Sequence, residues 1–301
     1  MRMLVTGREG QLARALAERG AALPGLSLQT VGRPELDLER PESIAAAIAA
    51  AAPDVVVNAA AYTAVDQAED EPERVFRING AAAGEVAAAA RRAGARIIQV
   101  STDYVFDGTG EGAYAESAPT RPLGVYGRSK LEGELSVAKA NPDHVVLRTA
   151  WVYSAYGRNF VKTMLGAAAK RDELGVVADQ RGNPTAAGDI ADGILALTAA
   201  WRDRPQLGLG GIYHLAGTGE ASWFEFAAAI FEEAARHGLP TAAVKPIGTA
   251  EWPTRAARPA NSVLDSRRFA ADFGYRAPLW RQSTAAVVAQ LARAADEEQA
   301  K

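Results

Sequence analysis

The sequence predicts an α/β fold with a doubly wound parallel sheet and a second, smaller α/β lobe. Three observations support this fold class. Strand-like runs alternate with helical stretches over the first half, a glycine-rich turn joins the first strand to the first helix, and the alternation loosens beyond Arg148. Alternating strands and helices are typical of a parallel sheet, because each crossover helix returns the chain to the same edge.

The predicted elements follow in a regular order. The strands are Met3–Val5, Leu28–Val31, Val55–Asn58, Arg96–Val100 and His144–Arg148, and the helices are Gln11–Arg19, Ser43–Ala51, Pro72–Ala93 and Tyr126–Ala140. The alanine-rich runs are predicted to be packed helices, since alanine is the best helix former. Glycine and proline punctuate the later chain near 180–184, 205–211 and 248–259, which indicates a lobe assembled from separate pieces. We expect residues 1–150 to form the sheet domain, with returning segments near 186–216, and residues 151–301 mainly to form the lobe.

The first turn has the spacing G-x-x-G-x-x-A, formed by Gly7, Gly10 and Ala13. Gly7 would allow the tight turn, Gly10 would let a pyrophosphate approach the backbone at a helix N-terminus, and Ala13 would permit close helix packing. Such a trio also occurs in ordinary strand-turn-helix units. Its place after a short apolar strand and before further strand-helix pairs favours a Rossmann-type dinucleotide-binding domain.

Composition excludes several classes of function. The chain has 301 residues, a net charge of −3 and no cysteine. It therefore lacks a basic field for nucleic acid, and it has no disulfide, thiolate nucleophile or cysteine-bound zinc. No apolar run approaches the roughly 20 residues of a membrane span, and the first strand leaves no room for a signal peptide. Because the chain has no cysteine, we expect a cytoplasmic protein. The histidines His144, His214 and His237 are far apart, so they are predicted to be core or surface residues, and no metal centre is expected.

Tyr126 and Lys130 stand four residues apart, and on a helix they share one face. A nearby ammonium group favours phenolate, so Lys130 is predicted to lower the pKa of Tyr126 from roughly 10. A tyrosine tuned in this way is a general acid. The alternative is a half-buried tyrosine with a solvated lysine beside it.

Polar and aromatic residues follow the strands. Thr102, after the fourth strand, could donate a hydrogen bond to a substrate carbonyl, although Ser/Thr turns are common at strand ends. Small residues after the third strand would let a cofactor backbone pass. Trp151 and Tyr153, after the fifth strand, could stack on a base, line a sugar pocket or belong to the core.

The end of the second strand predicts the choice of cofactor. NAD-dependent proteins of this fold often place Asp or Glu there for the ribose 2′-hydroxyl, whereas this chain has Arg33. A guanidinium can pair with a 2′-phosphate, so NADPH is predicted to be used at least as well as NADH. An exposed loop arginine is the alternative.

Together these motifs resemble the extended short-chain dehydrogenases, most closely the dTDP-4-dehydrorhamnose reductase family, over nearly the whole chain. The similarity continues through residues 159–161, 179–185 and 258–264. The resemblance implies that Tyr126 donates a proton, that Lys130 holds the cofactor ribose and tunes the phenol, and that Thr102 assists. It implies sugar-nucleotide contacts at Thr102, Asp103 and Trp151, and cofactor contacts at Gly10, Gln11, Leu12, Asp37, Leu38, Ala61, Tyr62 and Thr63. Gly7 and Arg33, predicted above from the turn and the second strand, complete the cofactor site with Tyr126 and Lys130.

The same resemblance implies NADPH or NADH as cofactor, a dTDP-sugar as substrate and a homodimer as one assembly. Some relatives dimerise through a magnesium ion held by glutamates, but no matching ligands align here, so no metal is predicted. Alternatives are a ketoreductase for another dTDP-4-keto-6-deoxysugar, a 4,6-dehydratase, a 4-epimerase and a non-catalytic regulatory subunit. Tyr104 stands where dehydratases usually have Glu, and the Tyr-Lys-Thr set opposes a purely regulatory role.

Overall fold

The computed structural model describes residues 1–299. The strands are β1 Arg2–Thr6, β2 Ser27–Val31, β3 Val55–Asn58, β4 Arg96–Thr102, β5 His144–Thr149, β6 Val152–Tyr153, β7 Glu173–Val177, β8 Arg181–Gly182, β9 Thr185–Ala186, β10 Gly211–His214, β11 Ala221–Ser222 and β12 Ala243–Ile247. The helices are α1 Gln11–Gly20, α2 Pro41–Ala51, α3 Val65–Ala68, α4 Pro72–Phe76, α5 Ala82–Arg92, α6 Val125–Ala140, α7 Phe160–Ala168, α8 Ala187–Asp203, α9 Trp223–Arg236, α10 Arg267–Phe273 and α11 Trp280–Gln299.

Six strands form one parallel sheet in the order β10-β5-β4-β3-β1-β2. The predicted α/β class is therefore confirmed. From β1 the chain first runs to β2 on one side and then returns to β3 on the other. In open sheets of this kind the ligand crevice lies beyond the carboxyl ends of the strands, where the order reverses.

The five predicted strands are all present, and β4 and β5 extend further than predicted, to Thr102 and Thr149. The helix predicted over residues 72–93 is wrong in one respect. It is interrupted by a π-helical turn, Arg77–Ala81, between α4 and α5. At this turn the backbone carbonyl of Asn79 lies against Gly133 of α6, where a side chain would overlap it, so local packing replaces the regular helix.

Helices cover both faces of the sheet. Met3 and Val5 pack with buried residues of α1 and α8 on one face, whereas Leu4 packs with α2 and α5 on the other. This alternation follows from the two-residue period of a strand. Because helices cover both faces, the strands are buried and consist of short, nearly continuous apolar runs. These runs are the reason that a parallel sheet could be predicted.

A third cluster of buried residues lies in the later part of the chain. It includes Val161 of α7, Phe226 and Ile230 of α9, and Val288 of α11. Nearby, β7 and β12 form a parallel pair, while β6 pairs with β9 and β8 pairs with β11. Residues from well-separated stretches of sequence therefore share one core.

Two further predictions from the sequence concern the histidines and the absence of a membrane span. His144 and His214 are buried on strands and His237 is exposed, as predicted for core and surface histidines. Across residues 1–299, none of the helices has both the length and the apolar character required to cross a bilayer.

Candidate active site

The predicted site residues lie along one edge of the sheet, where the strands end. Gly7 follows β1, Arg33 follows β2, and residues 61–63 follow β3. Thr102 ends β4 and Trp151 follows β5. Because the sheet is parallel, all these carboxyl ends meet at the same edge, with α6 carrying Tyr126 and Lys130 beside it.

The turn after β1 fits a dinucleotide pyrophosphate. Gly7 has a φ of +89°, and a Cβ there would lie 3.2 Å from Cα of Ala60. The Gly10 N–H donates to the Gly7 carbonyl at 2.7 Å, and Gly10 offers no side chain to cap α1. The first N–H groups of α1 are thus left for an anion, while Leu12 lies buried behind them.

Gln11, the first residue of α1, contacts a distant part of the chain. Its Oε1 accepts hydrogen bonds from Ser154 Oγ at 2.8 Å and from Asn159 Nδ2 at 3.1 Å. Asn159 also caps α7. The predicted cofactor residue therefore connects the glycine turn to the segment after β6.

The residues after β2 lie where the adenosine end of the dinucleotide cofactor is expected. Arg33 is exposed, and Asp37 and Leu38 are half-buried. The Asp37 carboxylate accepts the Glu39 N–H at 3.0 Å. A second cation, Arg8, lies against Gly32 and pairs with Glu35 at 3.1 Å, so this end of the edge carries two guanidinium groups.

The segment after β3 is fixed by a residue that the sequence analysis missed. Asn79 accepts the Tyr62 N–H at 2.8 Å through Oδ1, and its Nδ2 donates to the Tyr62 carbonyl at 3.0 Å and to Ser129 Oγ at 3.1 Å. These bonds hold Ala61, Tyr62 and Thr63 against α6. An asparagine in the middle of a predicted helix was the available signal, since asparagine is unfavourable there.

Tyr126 lies in the first turn of α6, whose Val125 N–H donates to Glu69 Oε1 at 2.7 Å. The Tyr104 ring meets its ring edge-on, with 5.8 Å between centroids. Tyr126 is half-buried, as in the alternative interpretation. Desolvation, together with the charge of Asp103, raises its pKa to about 12, and a hydrogen bond with Thr102 opposes the rise. The predicted lowering of this pKa by Lys130 is therefore wrong for the protein alone, because desolvation outweighs any effect of the lysine.

Lys130 is only 5% exposed, so it is not the solvated lysine of the alternative interpretation. Its Nζ donates to the Val100 carbonyl at 2.7 Å. Burial lowers the pKa of Lys130 to about 8, and the carboxylate of Glu134 opposes this shift. The ammonium group is therefore held by strand β4, one helical turn below the phenol.

Thr102 and Asp103 form the end of β4. Thr102 Oγ1 donates to Asp103 Oδ1 at 2.9 Å and accepts the Tyr104 N–H at 3.2 Å. Burial raises the pKa of Asp103 to about 6, and among the described residues its Oδ2 has no hydrogen-bond partner. A buried acceptor without a partner is uncommon, so this oxygen is available to a hydrogen-bond donor of a ligand.

Trp151 lies on a strained backbone beside the same edge. Its φ is +46°, which is a rare conformation for a bulky residue. Its indole stacks on Trp223 with 3.5 Å between centroids, and a side chain at Gly182 would overlap it. Trp223 was not among the residues predicted from the sequence. Tyr153, by contrast, is fully buried and its hydroxyl is hydrogen-bonded to the Thr284 hydroxyl at 3.0 Å, so Tyr153 is a core residue.

A buried ion pair was also not predicted from the sequence. Arg148 on β5 donates to Glu134 on α6 through Nε at 2.9 Å and Nη2 at 2.7 Å. Both side chains are at most 3% exposed. An arginine within an apolar strand, and a glutamate four residues after Lys130, were the signals in the sequence.

Gly127 allows α6 to approach the end of β4, because a Cβ there would overlap the Tyr104 carbonyl oxygen. We expect Gly127→Ala to reduce the free energy of unfolding by about 1–3 kcal/mol through overpacking, as measured by urea denaturation. Gly166→Ala is the control, since Gly166 is an exposed helical residue with open space around it. That change should stabilise by about 0.4–1 kcal/mol. Equal stability of the two variants would contradict the proposed close approach.

The parallel sheet, the glycine turn and the Tyr126–Lys130 pair define a nucleotide-dependent oxidoreductase of the extended short-chain dehydrogenase class. The family model for the RmlD substrate binding domain matches residues 1–293, and the chain belongs to this family.

Relatives and solved structures agree with this assignment. The chain is 47% identical to "dTDP-4-dehydrorhamnose reductase" of Sinorhizobium fredii, over 96% of this chain and 97% of the relative. It superposes on a dTDP-4-dehydrorhamnose reductase structure from Clostridium acetobutylicum with a TM-score of 0.89 and 34% identity, covering 97% of this chain and 99% of the other. The Bacillus anthracis enzyme, solved in complex with NADP, gives a TM-score of 0.88 and 34% identity, with coverage of 96% and 99%.

Proposed function

We propose that this chain reduces dTDP-4-dehydro-β-L-rhamnose to dTDP-L-rhamnose with a hydride from NADPH or NADH. Family membership over residues 1–293 and the names of its nearly full-length relatives support this reaction. The single structural observation that carries the chemistry is the meeting of Tyr126, Thr102 and the unpartnered Asp103 oxygen at the carboxyl edge of the sheet.

The residues at this edge would have different roles in the reaction. When bound, the cofactor supplies the hydride that adds to C4 of the keto sugar. Tyr126 donates its phenolic proton to the oxygen of the former carbonyl, so that an alcohol forms. The Thr102 hydroxyl, which donates its single proton to Asp103 in the structure, would turn that proton to the same oxygen when the sugar binds. A pKa near 12 keeps Tyr126 protonated at neutral pH, as a donor must be. Lys130 then stabilises the phenolate that remains.

The two ligands would occupy adjacent parts of the edge, so that the reacting atoms meet beside Tyr126. The cofactor would lie along the turn at Gly7 and Gly10 and the segment at residues 61–63, with Lys130 on its ribose. The sugar nucleotide would contact Thr102, Asp103 and Trp151. The rigid stack of Trp151 on Trp223 supports a role as one wall of the sugar pocket.

The domain division follows from these assignments. Residues 1–150, with the segment 186–216, would form the cofactor domain, and residues 151–301 would supply most of the substrate lobe. A homodimer in the cytoplasm is part of the proposal. Independence from metal stays a prediction.

The reaction is tested with dTDP-4-keto-6-deoxyglucose, in the presence and absence of a 3,5-epimerase, by following NADPH absorbance and identifying the sugar product. NADPH oxidation that requires the epimerase and yields dTDP-L-rhamnose supports the proposal. Oxidation without the epimerase would favour the alternative ketoreductase for another dTDP-4-keto-6-deoxysugar. Binding of dTDP-sugar without turnover would instead favour a regulatory subunit.

The position of Arg33 leads to a prediction on cofactor choice. Because its exposed guanidinium lies beyond β2, Arg33→Ala should raise KM for NADPH more than for NADH, as measured by steady-state kinetics. Arg92→Ala, an exposed arginine at the end of α5, is the matched control and should change neither value. If Arg8→Ala alone raises KM for NADPH, the phosphate is bound by Arg8 and the assignment of Arg33 is wrong.

A further inference from the structure

Helix α6 carries a buried charged group whose function the proposed reaction does not explain. Lys130 and Glu134 are one turn apart on the same face of the helix, and they are 5% and 3% exposed. Arg148, 2% exposed on β5, binds Glu134 through two parallel hydrogen bonds of 2.9 and 2.7 Å. Buried charges of this kind are expensive unless they are paired.

The same group fixes helix α6 to strand β4. Lys130 Nζ donates to the Val100 carbonyl at 2.7 Å, and Ser101 Oγ donates to Glu134 Oε1 at 2.5 Å. Ser101 is also the register partner of Arg148 in the sheet. Consecutive residues of β4 are thus bound by consecutive turns of α6, immediately before Thr102.

Glu134 is the acidic residue of this buried group, and its charge affects the protonation of Lys130. Arg148 pairs directly with this buried carboxylate, whereas Lys130, one helical turn away, interacts with it through its charge. Burial disfavours the ammonium form of Lys130, and Glu134 is the residue whose charge opposes that effect. Without the carboxylate, Lys130 would lose its proton at a lower pH.

We propose that Glu134 is a positioning residue of the reaction, which keeps Lys130 charged and holds α6 in register with the end of β4. This inference rests on the proposed function in one respect, namely that Lys130 acts in its charged form on the Tyr126 phenolate. The role of Glu134 is indirect, because it binds Ser101 and Arg148 and contacts neither the phenol nor Thr102 through a hydrogen bond.

Other charged groups around α6 do not replace Glu134. Asp103 and Tyr104, from the turn after β4, act on Tyr126 and on one another. Glu69 caps the start of α6. Of the charged side chains on the helical turns packed against α6, Glu85 is half-buried, Asp66 pairs with Arg258, and Glu73, Arg74, Arg77, Arg91 and Arg92 are exposed.

The first test measures stability against pH without cofactor or substrate. Glu134→Gln removes the charge and keeps the shape, and Glu134→Gln/Arg148→Met removes both partners of the pair. Ser101→Ala removes a hydrogen bond to Glu134 but no charge. Since Lys130 loses its proton near pH 8, the stability deficit of both Glu134 variants should narrow as pH rises through 8, whereas the deficit of Ser101→Ala should not change there.

The linkage between proton binding and folding gives the direction of this change in stability with pH. Below pH 8 Lys130 is charged in the wild-type protein, so loss of Glu134 removes a favourable interaction. Above that pH the folded wild-type protein holds neutral Lys130 and the interaction is absent. If Glu134→Gln does not fold, the double variant carries the test, because replacing a whole buried pair by neutral groups is often tolerated.

The second test measures kcat/KM against pH with NADPH and the keto sugar. The wild-type enzyme should lose activity on the alkaline side near pH 8. In both Glu134 variants this limb should move to lower pH by about one unit or more, because a nearby opposite charge changes a pKa by about 1–3 units. In Ser101→Ala the limb should stay in place.

The two possible failures are distinguishable. An unchanged alkaline limb and a constant stability deficit in the Glu134 variants, in a protein whose wild type reduces the sugar, would overturn the role of Glu134 and leave the proposed function intact. Absence of wild-type turnover would overturn the proposed function, while the stability measurements would still show whether Glu134 and Lys130 are coupled.

Discussion

Replacement of Tyr126 by phenylalanine should lower kcat by about two to four orders of magnitude, the share that general acid catalysis supplies. The variant keeps the ring that packs edge-on against Tyr104 but lacks the proton to donate. Binding of NADPH should be nearly unchanged, because Lys130 is held separately by the Val100 carbonyl. Steady-state kinetics with the keto sugar and a fluorescence titration with NADPH measure the two quantities.

Tyr104→Phe is the matched control for this experiment. Tyr104 is the other phenol at this edge, and burial raises its pKa as well. The proposed mechanism gives Tyr104 no proton to transfer, so its loss should leave most of kcat. A large loss in Tyr104→Phe together with normal turnover in Tyr126→Phe would exchange the roles of the two residues.

Replacement of Arg148 by methionine should reduce the free energy of unfolding by about 3–5 kcal/mol, because it leaves the Glu134 carboxylate buried without its guanidinium partner. Methionine keeps much of the apolar contact beneath the guanidinium, which lies 5.3 Å from the centroid of the Phe106 ring. Urea denaturation at neutral pH measures the loss.

Two controls separate burial from charge. Glu134→Gln/Arg148→Met should recover much of the lost stability, since no unpaired charge remains. Arg236→Met breaks the pairs of Arg236 with Glu232 and Glu233. Because the Arg236 side chain is 59% exposed, this change should alter stability by less than about 1 kcal/mol per pair. Similar losses in Arg148→Met and Arg236→Met would show that burial does not strengthen the pair on β5.

Much of the fold could be predicted because its signals are local. Short apolar runs gave the five strands, and the glycine spacing after β1 gave a turn whose Gly7 has the positive φ expected. Parallel strands end at one edge, so the order of elements alone placed Thr102 and Trp151 beside that edge. The roles assigned to these residues stay proposals.

Other properties depend on residues far apart in the sequence. A π-helical turn at Asn79 interrupts a predicted helix, and Asn79 there binds the backbone at Tyr62. Trp151 has its orientation because Trp223 stacks on it from the start of α9. The asparagine itself was a local signal, but no periodic or short-range pattern identifies the partner in either contact.

The sequence by itself determined the order of strands and helices, the glycine turn and the shared face of Tyr126 and Lys130, since these follow from backbone geometry over a few residues. The tertiary structure decided the electrostatics. Helix α6 packs on β4 and β5, where Tyr126 is half-buried and Lys130 is buried. This desolvation raises the pKa of Tyr126 to about 12 and lowers the pKa of Lys130 to about 8. Because desolvation depends on everything packed around a group, the spacing of two residues could not predict its direction or its size.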